Sequence, residues 1–171
     1  MRIPAEVVGP YLVSNLVGLA LLVAVVHWPS FVRWSLVVIF LGAGLLNAVT
    51  ALRTPAAYVN FADLAIAPYA RFIQGWFADH VRLVVLPIAA GQLAIGLLLA
   101  TGGRALRCGV AGAVVFLLAI APLGAGSAFP LSLFLSSAAL IIMVRVADHT
   151  MPAHRQRAPC PSHVLPRIEA R

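Results

Sequence analysis

A chain of 171 residues that is 62% hydrophobic and only 10% charged, with a mean hydropathy of +1.00, cannot solvate a globular surface. Soluble domains carry about 25% charged residues, so bilayer lipid must cover most of this chain, which excludes a soluble enzyme or binding module. The net charge of +7 comes from arginine without any lysine, and the arginines are scattered over loops and the C-terminal stretch. That distribution excludes a nucleic-acid surface and fits loops lying beside anionic lipid.

The two cysteines, Cys108 and Cys160, are far apart and form no CxxC pair, so neither a disulfide framework nor a thioredoxin-like motif is expected. The first apolar run has no small-residue cleavage pattern before His27-Trp28-Pro29, and no cleavable signal peptide is expected.

The first predicted span runs from about residue 7 to 26. Some 20 helical residues rise about 30 Å, the thickness of the hydrocarbon core. Pro10 falls in its first turn, where a missing N–H costs little. Tyr11 and Trp28 mark its two interfaces, and Ser14 and Asn15 are expected to bond to a neighbouring helix. Residues 27–33 read as a tight turn in which Pro29 stops the first helix. The second span is predicted over 34–52, making a hairpin with the first. Its centre, Leu41-Gly42-Ala43-Gly44, is small enough for a neighbouring helix to approach closely. Asn47 and Thr50 follow.

Residues 54–80 interrupt the hydrocarbon. Read as a helix, Tyr58, Phe61, Ala62, Ala65, Tyr69, Phe72, Ile73 and Trp76 gather on one side, and Asn60, Asp63, Arg71 and Gln74 on the other. Pro68 should divide the stretch into two short helices. Such a segment belongs in the interface plane, seated on the bundle as a cover or a lid.

The third span is predicted over 81–100, with Pro87 as a kink and Gln92 as the most interior polar side chain. A Gly-rich turn, Thr101-Gly102-Gly103-Arg104, returns the chain to a fourth span over 105–122. Ala105, Gly109 and Ala113 recur there at four-residue spacing, a close-packing stripe. A chargeless turn around Gly124 leads to a fifth span over 129–147, with Ser132, Ser136 and Ser137 on it and Arg145 and Asp148 at its end. Residues 1–148 thus form an all-α integral membrane bundle. Residues 149–171, rich in proline and arginine, read as a disordered tail.

Five spans place the termini on opposite sides of the membrane. Eight arginines lie on the tail's side, against Arg2, Arg53, Arg71 and Arg82 on the other. The excess predicts a cytoplasmic tail, an outer N-terminus and an outward-facing 54–80 segment in a bacterial inner membrane.

No phosphate loop, nucleophile elbow or zincin motif is present. Cys160, His163 and His154 are loosely zinc-like in spacing but lack a second pair. His27 and His149 share one membrane side and lie at span ends, a poor arrangement for a buried haem. No Asp, Glu or Arg falls in the middle of a span, which disfavours coupled ion transport. The candidate site residues are Gln92, Asn47, Tyr69, Arg71 and Trp76. Gln92 and Asn47 would form a small polar pocket with a serine of the fifth span, and Tyr69, Arg71 and Trp76, with Phe61, would cover a cavity. Asp63 and Arg71 are expected on a solvated face.

From Arg33 to Ala147 the pattern resembles the DoxX/DoxD-like family of small bacterial membrane proteins. The resemblance is carried by the small-residue centre Leu41-Gly42-Ala43-Gly44, the aromatic-rich linker after it, and the hairpin GQLAIGLLLATGGRALRCGVAG, where Gly96, Gly102, Gly103, Arg104 and Arg107 match the family. Gln92 stands near where the family carries an acidic residue. The resemblance implies a four-helix membrane core, with the first span as an addition. It also implies links to quinone or thiosulfate redox chemistry through other membrane or soluble redox proteins. Gln92 in place of the acid, and the lack of paired cysteines, count against a redox role. The expectation is therefore a non-catalytic membrane subunit that binds a quinone or a partner protein, with self-association left open and a redox enzyme subunit and a small-solute or lipid permease as alternatives. No bound cofactor or metal is expected from the residues themselves.

Overall fold

In a bilayer every backbone N–H and C=O must be satisfied within the chain, and long Leu, Val and Ala runs meet that condition as helices. The computed structural model describes residues 5–127 and 129–149, and among these the chain is helical without a strand. Among the described residues six α-helices follow one another: α1 (Ala5–Ala24), α2 (Pro29–Arg53), α3 (Ala67–Phe72), α4 (Val81–Ala100), α5 (Gly103–Ile120) and α6 (Leu131–His149). Three of the apolar stretches, Pro29–Arg53, Val81–Ala100 and Gly103–Gly124, are long and apolar enough to cross a membrane. Val8–Ala24 and Leu131–Arg145 are shorter apolar helices. The outward faces are hydrocarbon: Leu16, Val38, Leu46 and Val115 are each more than 60% exposed. Apolar surface on this scale needs lipid or a partner to cover it.

Pro29 corrects one boundary. It does not sit within a seven-residue turn over 27–33; it is the first residue of α2. A proline fits that position because its missing N–H would have had no partner there. The turn is consequently only residues 25–28, closed by the Trp28 N–H on the Ala24 carbonyl at 2.7 Å. At the other end α1 begins at Ala5, so Pro10 lies within the helix.

α2 and α4 make the most extensive helix pair, α4 packs on α5, and α5 on α6. α6 also touches α2, which closes a ring of four helices. α1 stands outside this ring. Although a tight turn joins it to α2, it leans on α6 and barely touches α2. Gly18 is the reason on the α1 side: a Cβ there would run into Leu131 Cδ1 of α6. Ser14 and Asn15 do not reach a neighbouring helix with their donors; both bond to the Tyr11 carbonyl in their own helix at 2.9 Å. The Tyr11 hydroxyl instead ties α1 to the Phe129 carbonyl.

Glycine sets the other close approaches. A Cβ on Gly44 would lie 2.9 Å from Leu93 Cγ, and one on Gly96 2.7 Å from Leu41. These two positions let α2 and α4 meet, whereas Gly42 faces open space. Gly109 lies against the backbone of Leu98 and Leu99, so the expected small-residue stripe of α5 is where it meets α4.

The segment between α2 and α4 is a 3-10 helix (Pro55–Asp63), then α3, then a π turn (Ile73–Phe77) kinked at Gly75. Pro68 sits in the first turn of α3 and opens that helix, so the stretch is divided just ahead of it. Asn60, Asp63, Arg71 and Gln74 are all exposed. Ala62, Ile73 and Phe77 are buried and pack with Ala51, Val81 and Val85. The amide N–H of Ile66 donates to the Pro122 carbonyl at 3.2 Å and fastens the segment to the end of α5. It therefore roofs one end of the four-helix ring. A larger apolar cluster, with Leu36, Phe40, Leu99, Val110 and Leu135, fills the other end.

Candidate functional site

Between the roof and the large apolar cluster lies a cavity of about 400 Å³. Asn47 of α2, Tyr58 and Phe61 of the 3-10 helix, Tyr69, Phe72, Ile73 and Phe77 of the roof, and Val84, Val85, Ile88 and Gln92 of α4 line it. Phe116, Ala119 and Ile120 of α5 and Leu123 complete it. None of these side chains is charged. A concave, largely apolar space of this size with a few convergent polar groups is the usual form of a small-molecule site.

Three of its polar side chains, Tyr58, Asn47 and Gln92, form one chain. The Asn47 Nδ2 amide donates to Gln92 Oε1 at 2.7 Å, which joins α2 to α4. The Tyr58 hydroxyl donates to Asn47 at 2.9 Å from Oδ1 and 3.1 Å from the carbonyl oxygen. Burial pushes the Tyr58 phenol above its ordinary value of 10.0, and a hydrogen bond with the Thr50 side chain partly offsets that shift. The phenol therefore stays protonated and keeps its donor at neutral pH. Gln92 is only 4% exposed. With Oε1 engaged by Asn47, its Nε2 donors are left for the space around them.

Gln92 also lines a second, smaller chamber of about 120 Å³, together with Phe40, Phe116, Ile120, Ser132 and Leu135. Ser132 is 1% exposed, and its Oγ has no hydrogen-bond partner. Ser136 is buried as well, but its Oγ donates to the Leu133 carbonyl at 3.0 Å. A helical serine commonly satisfies itself in that way; Ser132, at the start of α6, does not.

The residues singled out from the sequence divide by place. Gln92, Asn47 and Tyr69 line the larger cavity with Phe61, and Ser132 joins Gln92 at the smaller one. The Tyr69 hydroxyl donates to the Ala119 carbonyl at 3.3 Å, pinning α3 to α5. Arg71 and Trp76 do not line either space. Arg71 lies on the exposed face of the roof. Trp76 is 52% exposed and stacks on His80, with ring centroids 4.3 Å apart and planes 9° apart. The kink at Gly75 ends the register that would have turned Trp76 inward. Asp63 and Arg71 are both exposed, on the face expected to be solvated.

Two site residues escape a reading of single elements. Tyr58 reads as one aromatic on an apolar face, yet its hydroxyl reaches Asn47, eleven positions earlier. Phe116 reads as one apolar residue of a span, but it stands between the two spaces and packs edge-on against Phe40 at 5.7 Å.

Cys108 is exposed on α5, and His27 is exposed beside Trp28. Among the described residues no three His, Cys, Asp or Glu side chains gather as a metal site. Cys160, His163 and His154, together with the side chain of His149, lie outside the described residues. Comparison with protein-family models, with curated proteins and with solved structures finds no match.

Proposed function

We propose that this chain is a non-catalytic integral membrane component that holds an uncharged, lipid-soluble small molecule beneath the 55–77 roof. The observation that carries the reading is the cavity of about 400 Å³ whose walls are apolar except for the Tyr58–Asn47–Gln92 chain and the Tyr69 hydroxyl, which is spent on the Ala119 carbonyl. A charged ligand would find no counter-charge there, and burying an unpaired charge is prohibitive. A molecule with an apolar body and one compact acceptor oxygen, carbonyl or hydroxyl, would match the walls and take the Gln92 Nε2 donor. A quinone fits that description and is the ligand that the DoxX/DoxD resemblance adds, with other membrane or soluble redox proteins as partners.

In this reading the chain crosses a bacterial inner membrane five times, with α2, α4, α5 and α6 as the core and α1 as the added span. α1 has 20 residues and α6 has 19, close to the length a crossing needs. The roof then lies at the outer surface, and the arginine-rich tail lies in the cytoplasm.

The test compares organic extracts of the purified wild-type protein and of Ala119→Trp, which fills the cavity from the α5 side. Wild type should carry a lipid-soluble molecule that the variant has lost. Extracts of the two proteins that differ in nothing would defeat the reading.

A further inference from the structure

The geometry points to the small chamber beyond Gln92 as a polar-head subsite for an alcohol: a ligand hydroxyl sits between Gln92 and Ser132 while its hydrocarbon body occupies the larger cavity. The inference rests on the larger cavity being a ligand site and adds the class of head group. Its basis is Ser132. A hydroxyl on a residue 1% exposed, with no partner, is uncommon in a folded protein, because leaving it unmade costs stability. It lines a space of about 120 Å³ that is otherwise almost wholly apolar.

The other polar residue on that space is Gln92, whose oxygen is already held by Asn47. Gln92 brings its Nε2 N–H donors, beside the second lone pair of its oxygen, and Ser132 brings a group that can donate or accept. A hydroxyl oxygen accepts from Gln92 Nε2 while its proton goes to Ser132 Oγ, so one compact O–H completes both residues. A carboxylate would bring an unpaired charge, and a bare alkane would leave both groups unmet. Gln92, Phe116 and Ile120 line both spaces, so the head passes between these three side chains.

The experiment uses the full chain in lipid nanodiscs with two photoreactive probes, a dodecanol bearing a diazirine in its chain and the matching dodecane. Labelled residues are mapped by mass spectrometry. The alcohol should label the cavity walls about tenfold more strongly than the alkane, the scale of one or two net hydrogen bonds. Ser132→Ala should abolish that preference without lowering the stability of the unliganded protein, because it removes an unpartnered group. Ser136→Ala should leave the preference intact, since that hydroxyl is already bonded within its helix. Equal labelling of the cavity by both probes, unchanged by Ser132→Ala, would overturn the inference and leave the small chamber to water, with the larger cavity still a ligand site. Absence of both probes from the cavity walls would overturn both the inference and the larger cavity as a ligand site.

Discussion

Arg33 and Arg82 cap each other's helices. Arg33, near the start of α2, donates Nε to the Leu99 carbonyl at 2.8 Å and Nη2 to the Thr101 carbonyl, at the end of α4. Arg82, near the start of α4, donates Nε to the Ala51 carbonyl at 3.3 Å and Nη2 to the Leu52 carbonyl at 3.2 Å, at the end of α2. Each guanidinium satisfies carbonyls that an α-helix leaves unpaired at its C-terminus and places positive charge at the negative end of the helix dipole. The reciprocity fixes the antiparallel register of the helix pair that carries Asn47 and Gln92.

Arg33→Ala should therefore cost about 1.5–3 kcal/mol, the range for a hydrogen bond to a charged group. Arg82→Ala should cost less, because Arg82 is the more exposed of the two and its bonds are longer. Lysine should rescue either only in part, since it lacks the planar fork. Reversible unfolding in mixed micelles, followed by tryptophan fluorescence, measures both. An Arg33→Ala protein as stable as wild type would remove the capping argument.

The Asn47–Gln92 bond should reveal itself in a double-mutant cycle. Asn47→Ala strands the Gln92 oxygen in a buried position and removes an acceptor from Tyr58, so a loss of about 1–3 kcal/mol is expected. Gln92→Leu alone strands Asn47 in turn. The pair together should cost less than the sum, with a coupling of about 0.6–1.7 kcal/mol, the range found for polar contacts between membrane helices. Strict additivity would mean that the two amides do not depend on each other.

Much of this site was legible in the chain before folding was considered, and the rest was hidden for physical reasons. Gln92 and Asn47 stand out because amides are conspicuous in hydrocarbon, and both line the cavity. The polar face at Asn60, Asp63, Arg71 and Gln74 follows from helical spacing, which a 3-10 helix and a short α-helix preserve well enough. Periodicity fails at Trp76, because the register breaks at Gly75 one residue earlier. It fails differently at Pro29: a proline marks a boundary, and the same ring chemistry serves the end of one helix or the start of the next. The partner of α1 was out of reach altogether. A tight turn suggests a hairpin with α2, and only the fit of Gly18 against Leu131 shows that α6 is the neighbour.

Glycines facing open space and glycines at contacts should respond in opposite ways to alanine. At Gly109 a Cβ would come within 2.8 Å of the Leu99 backbone nitrogen, and backbone cannot swing aside. Gly109→Ala should destabilise by about 1–3 kcal/mol, as other overpacked sites do. At Gly42 and Gly91 nothing lies within 4 Å of the added carbon. Gly42→Ala and Gly91→Ala should be neutral or stabilising by up to about 1 kcal/mol, from helix propensity alone. The same unfolding assay ranks the three, and a neutral Gly109→Ala would contradict the α4–α5 packing described above.

Tyr58 predicts the alkaline limb of the stability profile. Its phenol ionises later in the folded protein than its ordinary value of 10.0, chiefly because it is buried. Between those two values the unfolded chain has lost a proton that the folded protein still holds, so stability falls as pH rises. The contribution is complete below about pH 10 and disappears as pH climbs through the folded value. Tyr58→Phe should be less stable at neutral pH through the lost bond to Asn47, yet lose less between about pH 9 and pH 11. Parallel declines in the two proteins would place the alkaline sensitivity elsewhere.

The crossing of α1 decides which side of the membrane each end occupies. If α1 spans, the N-terminus and the tail lie on opposite sides; if it only lies against α6 at the surface, they share one. α1 packs on α6 along a face that includes Gly18, and among its described side chains the exposed ones are apolar, with Leu12, Val13, Leu16 and Val23 each more than half exposed. Among its described side chains such a helix offers no polar face to water, and the five-span reading proposed above covers it by crossing. A reporter active only outside the cytoplasm should therefore be silent when fused after Arg171 and active when fused ahead of Arg2. It should also be active when inserted at Asn60, on the exposed face of the roof. Equal activity at the two ends would reduce the spans to four and leave α1 as a surface helix, while activity at the tail alone would invert the whole arrangement and turn the roof toward the cytoplasm.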